Sequence, residues 1–195
     1  MPSAFISYVS EDFEAVSRIA EVLREYEVDV WLDKTALKPG LRWQDQIRED
    51  ISKGDFFLAC FSETYVRRET TFMNEELTLA IEQLRQRPTN RAWFIPLKLN
   101  ACEIPNRSLG AGETLRSIQY VDLYSDWTTG MERLLSVIVP GSQRIPGLIA
   151  QLEHESARRR IEAIEVWSAK KAPAIDSMPW GCAAADRYDT LHGHN

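Results

Sequence analysis

Asp55-Phe-Phe-Leu-Ala-Cys-Phe61 is the stretch on which the fold turns. After its aspartate the run is apolar up to the polar Ser62. A strand with one face in water alternates apolar and polar residues. A short continuous apolar run suits a central parallel strand covered on both faces. Working outward, a polar loop is expected over Ser62 to Glu69, then a helix in which Met73, Leu77, Ala80, Ile81 and Leu84 recur at helical spacing and which stops before Pro88.

Before the central strand, Ala4 to Val9 reads as a short buried strand, and Ser10 as the N-cap of a helix to about Tyr26, with Glu11 and Asp12 at its positive end. Val28 to Leu32 is a second strand. Asp33 to Leu41 is a loop broken by Pro39-Gly40, and Trp43, Ile47 and Ile51 propose a short helix ended by Gly54. Downstream, Ala92 to Leu99 and Ile118 to Leu123 are further strands separated by a long loop. Trp127 to Ile138 is a last helix, with Met131, Leu134, Leu135 and Ile138 inward. Strands alternating with helices imply right-handed crossovers. The expected fold class is α/β, a flavodoxin-like three-layer sandwich on a five-stranded parallel sheet, with a short C-terminal helical extension. In such sheets ligands sit beyond the carboxyl ends of the strands.

The main domain is expected over residues 1–139, a linker over 140–147 and a helical extension over 148–169 that faintly resembles one HEAT-type repeat. The stretch 170–195 has no periodicity and reads as a disordered tail. The chain has 195 residues, 44% hydrophobic and 27% charged, with net charge −6. That balance and the lack of a basic block argue against nucleic-acid binding. No apolar run reaches the length of a membrane span, and the N-terminus meets Glu11 and Asp12 too soon for a signal peptide. Cys60, Cys102 and Cys182 share no close spacing and fit a reducing cytosol, with Cys60 a buried free thiol. The histidines, His154, His192 and His194, lie outside the α/β region. This removes Ser-His-Asp and Cys-His catalysis from it, and zinc chemistry is not expected there for the same reason. Neither a metal nor a resident cofactor is expected.

Within Thr70 to Leu84, Glu76 lies about 80° from the centre of the apolar face, on the boundary of core and solvent. Phe72, one turn earlier, is on the same side. A ring and a carboxylate so placed could wall a cleft, or be a surface acid beside a partly buried ring. Glu75 raises a question of register, which Leu77 answers by reaching the core face only with Glu76 at its edge.

Three blocks resemble the Toll/interleukin-1 receptor (TIR) domain family in its bacterial form. They are Ala4-Phe-Ile-Ser-Tyr-Val-Ser-Glu-Asp12; Val30-Trp-Leu-Asp-Lys-Thr-Ala-Leu-Lys-Pro-Gly40 with Trp43 and Ile47; and Leu58 to Leu77, holding Phe61-Ser-Glu-Thr-Tyr65 and Phe72-Met-Asn-Glu-Glu-Leu77. The resemblance covers about residues 3 to 139. Where the family usually has Trp-Cys-x-x-Glu-Leu, this chain has Phe72 and Met73. The resemblance implies that Glu76 is catalytic and that Phe72 borders the nicotinamide of NAD+, the substrate. Ser7, Tyr8 and Asp33 would line the rest, with Lys34, Lys38 or Arg42 near the diphosphate. The implied activity is cleavage of the nicotinamide–ribose bond by a cytoplasmic NAD+ nucleosidase in bacterial anti-phage defence or cell death. It would be dormant until TIR–TIR self-association, with an upstream sensor as a further partner. The alternatives are a non-catalytic TIR scaffold and a receiver domain. The receiver reading has Glu11 and Asp12 as its acidic pair but Phe61-Ser62 where its phosphoacceptor should stand.

Overall fold

Five parallel strands form one sheet in the order β2-β1-β3-β4-β7. The elements run β1 (Ser3–Ser7), α1 (Phe13–Glu25), β2 (Asp29–Trp31), α2 (Trp43–Lys53), β3 (Phe56–Phe61), α3 (Glu63–Arg67), α4 (Phe72–Leu84), β4 (Phe94–Lys98), β5 (Ser108–Gly110), β6 (Glu113–Thr114), β7 (Val121–Asp122) and α5 (Trp127–Ile138). The computed structural model describes residues 1–32 and 43–141, and beyond these positions 149, 151, 154, 158, 161 and 162, with the side chains of 43–46 left aside. The expected loop over 33–41 and tail over 170–195 lie outside the described residues, as do Cys182, His192, His194 and nearly all of the expected linker and extension.

β3 is the central strand, paired with β1 on one side and β4 on the other. Its side chains alternate between two apolar layers. Leu58 and Cys60 join Ala4, Ile6, Ile95 and Leu97 beneath α1 and α5. Phe57, Ala59 and Phe61 join Phe94 and Trp93 beneath α2 and α4. Ile149 is buried with the first of these layers. Residues 1–157 form one compact unit, and 158–195 a second, of which only positions 158, 161 and 162 are described. No helix among the described residues is long and apolar enough to cross a membrane.

A clasp closes the amino edge of the sheet. The Ser3 amide and hydroxyl both donate to Asp55 Oδ2 at 3.0 Å, and the Asp55 amide donates back to Ser3 Oγ at 3.1 Å. Thr71 caps α4 by accepting from the Met73 amide at 3.2 Å, and Asp126 caps α5 by accepting from Thr129 at 3.0 Å.

Four local expectations are corrected. Ser10 does not cap α1: the chain first makes a 3-10 turn over Ser10–Asp12, and the Ser10 hydroxyl bonds Glu11 instead. The span Ser62 to Glu69 is not all loop, because Ser62 accepts from the Tyr65 amide at 3.1 Å and starts the one-turn helix α3. The long loop after β4 contains the β5–β6 hairpin. The last strand shrinks from Ile118–Leu123 to Val121–Asp122, which pair with Leu97 and Lys98 of β4, after a 3-10 turn over Leu115–Ser117.

Candidate functional site

Glu76 is not a boundary residue: it is fully buried, as is Ser7. The buried stripe of α4 is Met73, Glu76, Leu77 and Ala80, while Ile81 and Leu84 are only partly covered. That i, i+3, i+4, i+7 set is centred between positions 76 and 77 on the helical wheel, about 35° from the centre given when Ile81 and Leu84 are counted in place of Glu76, roughly a third of one residue's rotation. The reason is tertiary. The first turns of α4 pass over the end of β1, and its flank packs on α2. Of the adjacent acids, Glu76 is inward and Glu75 exposed.

Ser7 is the last residue of β1, at the carboxyl edge of the sheet, and its side chain points to the α4 layer. Its hydroxyl donates to Glu76 Oε2 at 2.6 Å. Burying Met73 and Leu77 is worth about 1.5–3 kcal/mol each. Carrying a carboxylate inside with them costs several kcal/mol if it is ionised, and a charge-assisted hydroxyl bond offsets about 1.5–3 kcal/mol of that. The helix interface thus carries an acid into the interior, where the Ser7 hydroxyl is one of its partners.

The structure brings Ser7 to Glu76 but not Tyr8. Successive strand residues face opposite layers. The Tyr8 ring packs in the α1 layer, 6.4 Å from the ring of Phe13, with its hydroxyl 3.5 Å from the Leu32 carbonyl. Phe72 opens α4 on the same arc as Glu76 and is 67% exposed. Asp33, Lys34, Lys38 and Arg42 lie outside the described residues.

Two networks missed in the sequence brace the site. At the end of β3, buried Ser62 donates to Asp12 Oδ2 at 2.5 Å, and Arg68 pairs with Glu11. Both bonds tie the segment after β1 to the segment after β3. Burial pushes the Asp12 carboxyl above its ordinary value, and the Ser62 hydroxyl only partly offsets that. On the outer side of α4, Tyr65 donates to Asn74 Oδ1 at 2.9 Å and Arg107 donates to the same oxygen at 2.7 Å. Arg107 also reaches the Asn74 carbonyl and Thr78 Oγ1, each at 3.2 Å. Asn74 lies inside the Phe72 to Leu77 block, but no local signal links it to Arg107. Among the described residues no group of three or more His, Cys, Asp or Glu side chains could hold a metal ion.

The arrangement holds one buried carboxylate, hydrogen-bonded by a hydroxyl, beneath the carboxyl edge of a parallel sheet. A family model described as "TIR domain" matches residues 4–135. Among solved structures, the TIR domain of the Toll-related receptor TRR-2 from the lower metazoan Hydra magnipapillata is similar at 17% identity and a TM-score of 0.51, over 68% of this chain and 93% of that one. A prokaryotic SEFIR domain is similar at 22% identity and a TM-score of 0.47, over 71% and 99%. At such identities the first likeness bears on the fold alone. No curated protein matches.

Proposed function

The chain belongs to the TIR-domain family, and from that premise we propose that it cleaves the nicotinamide–ribose bond of NAD+, with Glu76 as the catalytic carboxylate. The observation that carries this reading is the Ser7–Glu76 pair: an acid buried at an energetic cost, held at the edge where such sheets bind ligands.

The chemistry needs little more. Nicotinamide leaves a pyridinium as a neutral molecule, so no general acid is required. As the bond breaks, positive charge spreads over the ribose C1′ and ring oxygen. A fixed carboxylate beside the ribose stabilises that charge and holds the sugar hydroxyls. Water, or a nucleophile within the same molecule, then bonds to C1′, giving linear or cyclic ADP-ribose. Ser7 orients Glu76 as a positioning residue. Phe72, exposed at the start of α4, borders the nicotinamide. Asp33 and Lys34 belong to this proposal on the resemblance alone, and Tyr8 enters it only as a neighbour in sequence.

Glu76 is wholly covered in the single chain, so the ribose reaches it only after a local opening. Self-association through TIR–TIR contacts is the proposed trigger, and an upstream sensor its source. The described cysteines, Cys60 and Cys102, are buried free thiols, which supports a reducing compartment such as the cytoplasm. Bacterial anti-phage defence or cell death is the role that goes with NAD+ loss. The same covering of Glu76 favours one other reading, a scaffold that meets other TIR domains without catalysis.

Concentrated protein incubated with NAD+, with released nicotinamide followed by chromatography, separates the two. Turnover is expected to fall by at least about a hundredfold, roughly 3 kcal/mol, in Glu76→Ala. Turnover that survives the substitution removes Glu76 from the mechanism. No turnover in any assembled state leaves the scaffold.

A further inference from the structure

We propose that a cavity at the far end of α4 binds a phosphate-bearing small molecule, with its anion between Arg85 and Arg91 and its body against Leu109 and Ile118. The cavity has a volume of about 400 Å³ and lies between the carboxyl end of α4, the turn after it and the β5–β6 hairpin. α4 runs back from the carboxyl edge of the sheet, so Arg85 is roughly 13 Å along the helix axis from Glu76. The site is separate from the proposed reaction centre and does not rest on that reading.

Charge makes the case. Three guanidinium groups, Arg85, Arg87 and Arg91, line one cavity with a single carboxylate, Glu113, in a chain of net charge −6. Two of the three are not neutralised by strong partners. Among the described residues Arg85 has no ion pair, and its guanidinium instead lies against the backbone of Gly110, 3.5 Å from where a Cβ would stand. Arg91 reaches Asp55 only at 3.7 Å, and Asp55 is already engaged by Ser3. Arg87 is the fixed member: it stacks 4.2 Å over Trp93 and donates to the Ser52 carbonyl at 3.2 Å. Burial first, and then the nearby charge of Arg91, push the Arg87 guanidinium below its ordinary value, with Asp55 opposing them. A bound anion would offset the second of these causes.

Guanidinium forks match phosphate oxygens two at a time. The volume exceeds what a bare phosphate fills and falls in the range of small-molecule sites. The apolar wall of Leu84, Leu109 and Ile118 suits a base or similar body. The hairpin turn that closes the cavity carries three successive left-handed residues, Gly110, Ala111 and Gly112, and Ala111 is there without a glycine's freedom. A nucleoside phosphate has the anion, the body and the size.

Calorimetric titration of the full chain with ADP, pyrophosphate and adenosine tests this. ADP is expected to bind, pyrophosphate to bind more weakly and adenosine not to bind. Arg85→Gln and Arg91→Gln are each expected to weaken ADP at least about tenfold, with Glu76→Gln leaving its affinity unchanged. Arg85 is exposed, so its replacement leaves the fold intact. Absence of ADP binding, equal binding of adenosine, an undiminished affinity in Arg85→Gln, or loss of binding in Glu76→Gln would each overturn the proposal.

Discussion

The Ser7 hydroxyl and the Glu76 carboxylate, 69 positions apart in sequence, meet at 2.6 Å, and both residues are fully buried. Ser7→Ala removes the donor and leaves a buried acceptor behind. It is expected to cost about 1.5–3 kcal/mol of stability, read by denaturant unfolding, and to lower NAD+ turnover by disordering Glu76. A variant as stable and as active as the parent would show that the bond orients nothing.

Glu76→Gln separates role from fold. The amide oxygen can still accept from Ser7, and an uncharged side chain no longer carries the burial cost of an ionised acid. Its melting temperature is expected to equal or exceed the parent's, while nicotinamide release falls at least about a hundredfold. A large fall in melting temperature would make Glu76 structural.

Asp12 ties stability to pH. Its folded carboxyl lies above the ordinary value because burial disfavours the charge. The folded state therefore holds this proton more tightly than the unfolded chain does. Its contribution to stability is greatest at low pH and is lost as pH rises from the unfolded value of about 3.9 through the raised folded one. Asp12→Asn, which keeps an acceptor for Ser62, is expected to flatten that part of the stability curve and to raise stability at neutral pH. An unchanged curve from pH 3 to 7 would contradict the assignment.

Gly130 lets α5 lie against β7. A Cβ there would stand 2.3 Å from the Asp122 carbonyl oxygen and 2.8 Å from Leu123 Cδ2. Gly130→Ala gains about 1 kcal/mol of helix propensity but has to push a backbone apart. Net destabilisation of about 1–3 kcal/mol is expected in thermal unfolding. A stabilised variant would mean that the helix can move away freely.

Glu27 ends α1 in a left-handed conformation, φ 58°, with its amide bonded to the Arg24 carbonyl and the Val28 amide to that of Leu23. This is the helix stop that glycine usually fills. Glu27→Gly is expected to raise stability by about 1 kcal/mol, because the side chain is exposed and the strain of its Cβ is removed. Loss of stability in denaturant would show that Glu27 holds a compensating contact.

The long periodic stretches were legible. The apolar run ending at Phe61 is the central strand, and the spacing of Met73, Leu77 and Ala80 does mark a buried helix face. Short elements were not: α3 is one turn held by a Ser62 cap, and β5 and β6 pair over only a few residues. Too few side chains repeat in them for a period to emerge from composition.

Local sequence determined which residues had to be covered, since strand alternation and helix spacing follow from backbone geometry alone. It thereby settled the parallel α/β layout and set Ser7 and Glu76 at the same sheet edge. Only the tertiary structure decided how far α4 rolls on its neighbours. That rotation puts Glu76 inside rather than at the rim and gives it Ser7 as a partner, and the packing of the turn after α4 against the β5–β6 hairpin brings Arg85, Arg87 and Arg91 to one cavity. Such contacts join segments tens of residues apart, and what selects among nearly equal helix rotations is packing against elements far along the chain.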